Sequence, residues 1–164
     1  MGQTRSSEER VLGLGHMKYE VGMMVEAAKR LQDVKDEPGF VRNVLVEVTL
    51  VHARNLIEFL GDRNKKKNEM SPDDFVPGWE FGSCKELMGQ LGPINENLTH
   101  LSWKRVSGGS SAVGDELVEK VLDACDGFRA HLASSGWLGE QPMREALSAR
   151  PARPLQLGLV NGTN

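Results

Sequence analysis

The stretch from Phe40 to Leu60 constrains this chain more than any other segment. It runs about twenty residues without Gly or Pro and is apolar nearly all round, too long for an ordinary strand and well suited to a helix. Its first half, Val44-Leu45-Val46-Glu47-Val48-Thr49-Leu50-Val51, is rich in β-branched residues, which favour strands. A strand there would have no evident partner elsewhere in the chain, so the segment reads as one long helix. At about 100° per residue, Val41, Val44, Leu45, Val48, Leu56 and Phe59 fill one face and Val46, Leu50, Ala53 and Ile57 the opposite one. Only a narrow strip of Asn43, Glu47, Arg54 and Glu58 is polar. A helix of this kind is buried on more than one side, which predicts the centre of a bundle or an oligomer interface.

The other segments supply the rest of a bundle. Met17, Val21, Met24, Ala28 and Leu31 recur at helical spacing and predict a helix from Met17 to Val34, closed by Asp36-Glu37-Pro38-Gly39. Residues 1–15, with Gly13 and Gly15, read as a flexible leader. Ser71-Pro72-Asp73-Asp74 forms a capped turn, and Ser83-Cys84-Lys85-Glu86 a capping box that opens a helix ending near Leu91. Pro93 restarts a helix with Ile94, Leu98 and Leu101 facing inward, and residues 107–114 are a Gly- and Ser-rich connection. From Asp115 to Leu132 a stripe of Leu117, Val118, Val121, Leu122, Cys125, Phe128 and Leu132 marks the clearest helix. Residues 139–164, with three prolines, read as a tail that is disordered or docked. The expected fold is all-α: a single-domain antiparallel four-to-five-helix bundle over 16–138, and the doubly apolar central helix predicts a homodimer.

Charge and motif content narrow the chemistry. A formal charge of -3 and a pI near 5.8 give no global basic field, so nucleic-acid contact would have to come from a local patch. Cys84 and Cys125 form no C-x-x-C pair and are expected to be buried free thiols. His16 and His131 have no partners at metal-ligand spacing, and no P-loop or G-x-G-x-x-G occurs. No metal and no cofactor is therefore expected. No apolar run approaches the roughly 18 residues of a membrane span, and Met1 to Arg10 is polar, which predicts a soluble cytoplasmic protein without membrane partners.

Five polar residues stand out as binding candidates. His52 and Asn55 fall within the apolar arc of the central helix and must find hydrogen bonds there, either to fix the packing register or to line a pocket. Arg54 lies on the polar strip between Glu47 and Glu58, as part of an ion-pair stripe or as an anion contact. His100 and Arg105 form a second cluster, although an ideal helix points them to different sides. Lys65, Lys66 and Lys67, with Arg63, form a basic loop that reads as solvated or as a phosphate contact.

The pairing of Glu47-x4-His52-Ala53-Arg54-Asn55-Leu56-x2-Phe59-Leu60 with Ile94-Asn95-x2-Leu98-x-His100-Leu101-Ser102-x2-Arg105 resembles uncharacterised small helical proteins of bacteria. That group is similar in turn to the HEPN superfamily of helical bundles. The resemblance implies a binding or regulatory module, in the manner of toxin–antitoxin or defence-type systems, with a partner protein, RNA or a nucleotide as its ligand. It implies as the alternative a metal-independent ribonuclease or nucleotide-processing enzyme. Active HEPN ribonucleases carry Arg-x4-6-His, whereas here His100-x4-Arg105 runs in reverse and Arg10-x5-His16 falls in the leader. No catalytic residue is carried over.

Overall fold

The computed structural model describes residues 5–34, 39–61, 69–80, 82, 84–99, 116–135, 144, 145, 148 and 155. The described residues are all-α, with no strand among them. Helix α1 spans Ser7–Asp33, α2 Phe40–Gly61, α3 Cys84–Gly89, α4 Leu91–Thr99 and α5 Leu117–Ser134, with a 3-10 turn at Pro72–Asp74 between α2 and α3. The β-branched segment within Phe40–Leu60 is helical throughout. Length and the absence of helix breakers therefore override local strand propensity.

Helix α1 begins ten residues before the expected Met17, so most of the expected leader is helical. The start signal is local: Ser6 accepts the Glu9 backbone N–H at 3.1 Å, and Glu9 accepts the Ser6 N–H at 2.8 Å. These two bonds satisfy donors that a helix start leaves open. The Ser6 backbone N–H, followed by the Arg5 charge, holds the Glu9 carboxyl below its ordinary range. Gly13 does not break the helix because tertiary structure requires it. A Cβ there would lie 2.8 Å from Phe75 Cζ and 3.1 Å from Met70 Sδ.

Helices α1 and α2 pack along one another, and α2 also touches α3, α4 and α5. Burial along α2 is uneven. Thr49, Leu50, Ala53, Leu56, Ile57, Phe59 and Leu60 are buried, whereas Phe40, Val41, Val44 and Val51 are exposed. The expected burial on more than one side thus holds for the carboxyl-terminal half of α2 only. Among the described residues Thr49 is the one buried polar side chain of the core, and its hydroxyl donates to the Leu45 carbonyl at 2.8 Å. The α5 stripe is buried over its whole length, from Leu117 to Leu132.

Phe128 of α5 joins these elements. Its ring meets Phe59 at 5.4 Å, Trp79 at 5.3 Å and Phe75 at 6.2 Å, each edge to face. Trp79 then donates its indole N–H to the Leu60 carbonyl at 3.3 Å, satisfying an acceptor that the end of α2 leaves open. Leu155, from the expected tail, is buried in the same core and donates its N–H to Glu119 Oε1 at 2.6 Å. Cys125 is a buried free thiol whose pKa burial, and secondarily Asp126, pushes up to about 12, so it stays protonated and unreactive. The Cys84 side chain lies outside the described residues. No helix among the described residues is long and apolar enough to cross a membrane.

The glycines of α1 give opposite expectations. A Cβ at Gly15 meets nothing within 4 Å, so Gly15→Ala should stabilise by about 0.5–1 kcal/mol through helix propensity. Gly13→Ala should destabilise by about 1–3 kcal/mol, because the new Cβ would push Phe75 out of its edge-to-face contacts with Phe59 and Phe128. Urea unfolding of the two variants checks the sign of each; a stabilised Gly13→Ala protein would contradict the packing.

Candidate functional site

His52 and Asn55 share one edge of α2, where the buried face meets solvent, and both turn toward α1. There Glu20 supplies the acceptor. Its Oε2 lies 2.6 Å from His52 Nδ1 and accepts the Asn55 amide N–H at 3.0 Å. A carboxylate only accepts, so both contacts are made together when His52 carries its proton on Nδ1. Tyr19 completes the surround, its ring meeting the imidazole edge to face with centroids 5.7 Å apart. The His52 side chain is 12% exposed and that of Glu20 24%, which places the pair at the rim of the α1–α2 seam, within reach of solvent.

The arrangement fixes the imidazole and leaves Nε2 as the nitrogen able to exchange a proton. Two parts of an acid/base relay are therefore in place, a ring and the carboxylate that orients it. Among the described residues His52 bonds to no Ser, Thr or Cys that could serve as a nucleophile. The pair also has a structural consequence. One carboxylate shared by two side chains three residues apart holds α1 and α2 in one axial register, and charge-assisted bonds of this kind are roughly twice as strong as neutral ones.

Arg54 does not join this cluster. Two residues along a helix amount to a rotation of about 200°, which turns Arg54 away from His52. It pairs with Glu58, through Nε at 3.0 Å and Nη2 at 2.9 Å, and not with Glu47. That pair is more than a third exposed on the arginine side and contributes about 0.3–0.5 kcal/mol. His100 and Arg105 lie outside the described residues, as do Lys65, Lys66 and Lys67. Of the five candidates the structure thus brings His52 and Asn55 together and separates Arg54 from them.

Glu20 and Tyr19 carry no local signal in the sequence, since α1 merely shows a polar and an aromatic residue beside its core positions. A geometric signal did exist. Folding the chain back between Asp33 and Phe40 sets Glu20 opposite about residue 53, next to the two polar groups that needed a partner. Compared with protein-family models, curated proteins and solved structures, the chain matches none.

Removing the shared acceptor should be costly. Glu20→Ala leaves the His52 and Asn55 donors unmet and should destabilise by about 1–3 kcal/mol, whereas Glu26→Ala, at an exposed pair with Arg30, should cost about 0.5 kcal/mol or less. Denaturant unfolding of the two variants side by side makes the comparison. Equal losses would contradict a clasp between the helices.

Proposed function

We propose that this protein is a binding or regulatory module, a HEPN-like helical bundle that acts as a homodimer through the amino-terminal half of α2. One observation carries the reading: Phe40, Val41, Val44 and Val51 lie along one stripe and are 82%, 54%, 36% and 42% exposed. Four large apolar side chains uncovered on one side of a helix, flanked by the exposed Glu47, are more than the scattered single residues of an ordinary surface. The stripe is about 17 Å long, three turns of helix, and a two-fold axis between Leu45 and Val46 lays the Phe40 end of one copy over the Val51 end of the other. A second copy is thus a self-complementary occupant. Four side chains bury less than the roughly 800 Å² per partner of a standard interface, so the association is concentration-dependent. In a toxin–antitoxin or defence-type setting a partner protein would compete for the same face.

Light scattering at rising micromolar concentration should show the mass of two chains, and Phe40→Glu together with Val44→Glu should restore the mass of one without lowering the melting temperature. A single chain at every concentration of the native protein would overturn the homodimer.

The second reading, a metal-independent ribonuclease or nucleotide-processing enzyme, is favoured by the Glu20–His52 pair, which presents an oriented imidazole near the surface. Incubation with labelled RNA decides it. Cleavage that His52→Gln abolishes places His52 in the chemistry, and RNA left intact by the native protein removes this reading.

A further inference from the structure

A cavity of about 290 Å³ opens at the amino-terminal end of α1, far along the helix from the apolar stripe of α2. Its apolar lining is made by Leu12, Gly13, Met70 and Phe75. The absent side chain at Gly13 lets Phe75 close one wall. Charged groups line the rest, and their partners decide what the cavity accepts. Glu9 spends Oε2 on the Ser6 N–H, and its Oε1 faces Arg5 at 3.6 Å. Asp74 spends Oδ2 on the Ser71 N–H at 2.8 Å. Arg10 is the exception. Its Nε is fully buried and meets no acceptor among the described residues, and no carboxylate among them pairs with its guanidinium. His16, also on the lining, is likewise without a side-chain partner there.

A buried donor on a permanent cation is rarely left unmet. Nε itself is closed to a molecule in the cavity, so an occupant meets the rest of this unpaired guanidinium and must be compact and negatively charged to suit it. We infer that this cavity binds a small molecule with a single anionic head, a carboxylate or a phosphate, held by Arg10, and an apolar body laid on Leu12, Met70 and Phe75. Glu9 and Asp74 set the limit on charge: they repel a second anionic group, so extended polyanions are excluded. The volume lies at the small end of the roughly 300–1,000 Å³ typical of ligand pockets, which suits a ligand of one ring and its head group. The inference is independent of self-association and of RNA cleavage, since it uses none of their residues.

The test titrates the full chain with benzoate, phenyl phosphate, benzyl alcohol, inorganic phosphate and tripolyphosphate, following the backbone amide signals of Gly13, His16 and Phe75 by NMR. Benzoate or phenyl phosphate should give saturable shifts at these residues, and whichever binds more tightly identifies the head group. Benzyl alcohol, lacking charge, and inorganic phosphate, lacking a body, should each bind at least about tenfold more weakly. Arg10→Met, which keeps the apolar stem, should weaken the better ligand by about tenfold or more, while Arg30→Met, on the exposed surface of α1, should leave it unchanged. The inference is overturned if neither aromatic anion saturates, if benzyl alcohol or inorganic phosphate binds as well, or if tripolyphosphate binds best. Should Arg10→Met fail to fold, the five ligands on the native chain still decide the matter.

Discussion

The edge-to-face contacts of Phe128 with Phe59, Phe75 and Trp79 are the interaction on which the rest of the structure depends. Each such pair adds about 0.5–1.5 kcal/mol beyond the area it buries, and here three meet on one ring from α5, α2 and the segment after the 3-10 turn. Four of the nine Phe, Trp and Tyr residues of the chain meet at this point. Because Phe75 belongs to the same cluster, α1 must pass it with a glycine, and Gly13 fills that place. The cavity beside the start of α1 and the end of α2 capped by Trp79 follow from where these rings sit.

From that anchored end the two long helices run back along one another, and the Glu20 carboxylate sets their register midway through His52 and Asn55. Beyond this clasp the packing thins. The first turns of α2 have α1 on one side and solvent on the other, so Phe40, Val41 and Val44 remain uncovered. One hairpin therefore carries three distinct surfaces: a cavity lined in part by Arg10 at the aromatic end, a fixed imidazole in the middle and an apolar stripe at the far end. The division of α2 into a buried and an exposed half connects packing to the proposed self-association.

Much of this was legible in the sequence, and the failures have physical causes. The α5 stripe could be read position by position because an amphipathic helix buried on one side leaves a clean period in its sequence. The length of α2 was legible from the absence of breakers, but which of its apolar faces the chain itself covers was not, since that depends on how many neighbouring elements reach each turn. The start of α1 is hidden in the sequence because Gly13 and Gly15 have the look of punctuation, although Ser6 and Glu9 carry the capping signature just upstream. At the site, His52 and Asn55 announced themselves as polar residues on an apolar arc. Glu20 did not, because its role exists only across the seam between two helices. Arg10 was set aside with the leader, and only a folded α1 shows its Nε buried without an acceptor.

Native-state hydrogen exchange along α2 tests the central claim most directly. The amides from Thr49 to Leu60, enclosed by α1, α5 and the aromatic cluster, should exchange only through global unfolding, while those from Asn43 to Val48 exchange by local opening well before it. In protein dilute enough to be a single chain, uniform protection along the whole of α2, or greater protection in its first half, would contradict an account in which the rings around Phe128 hold one end of the helix.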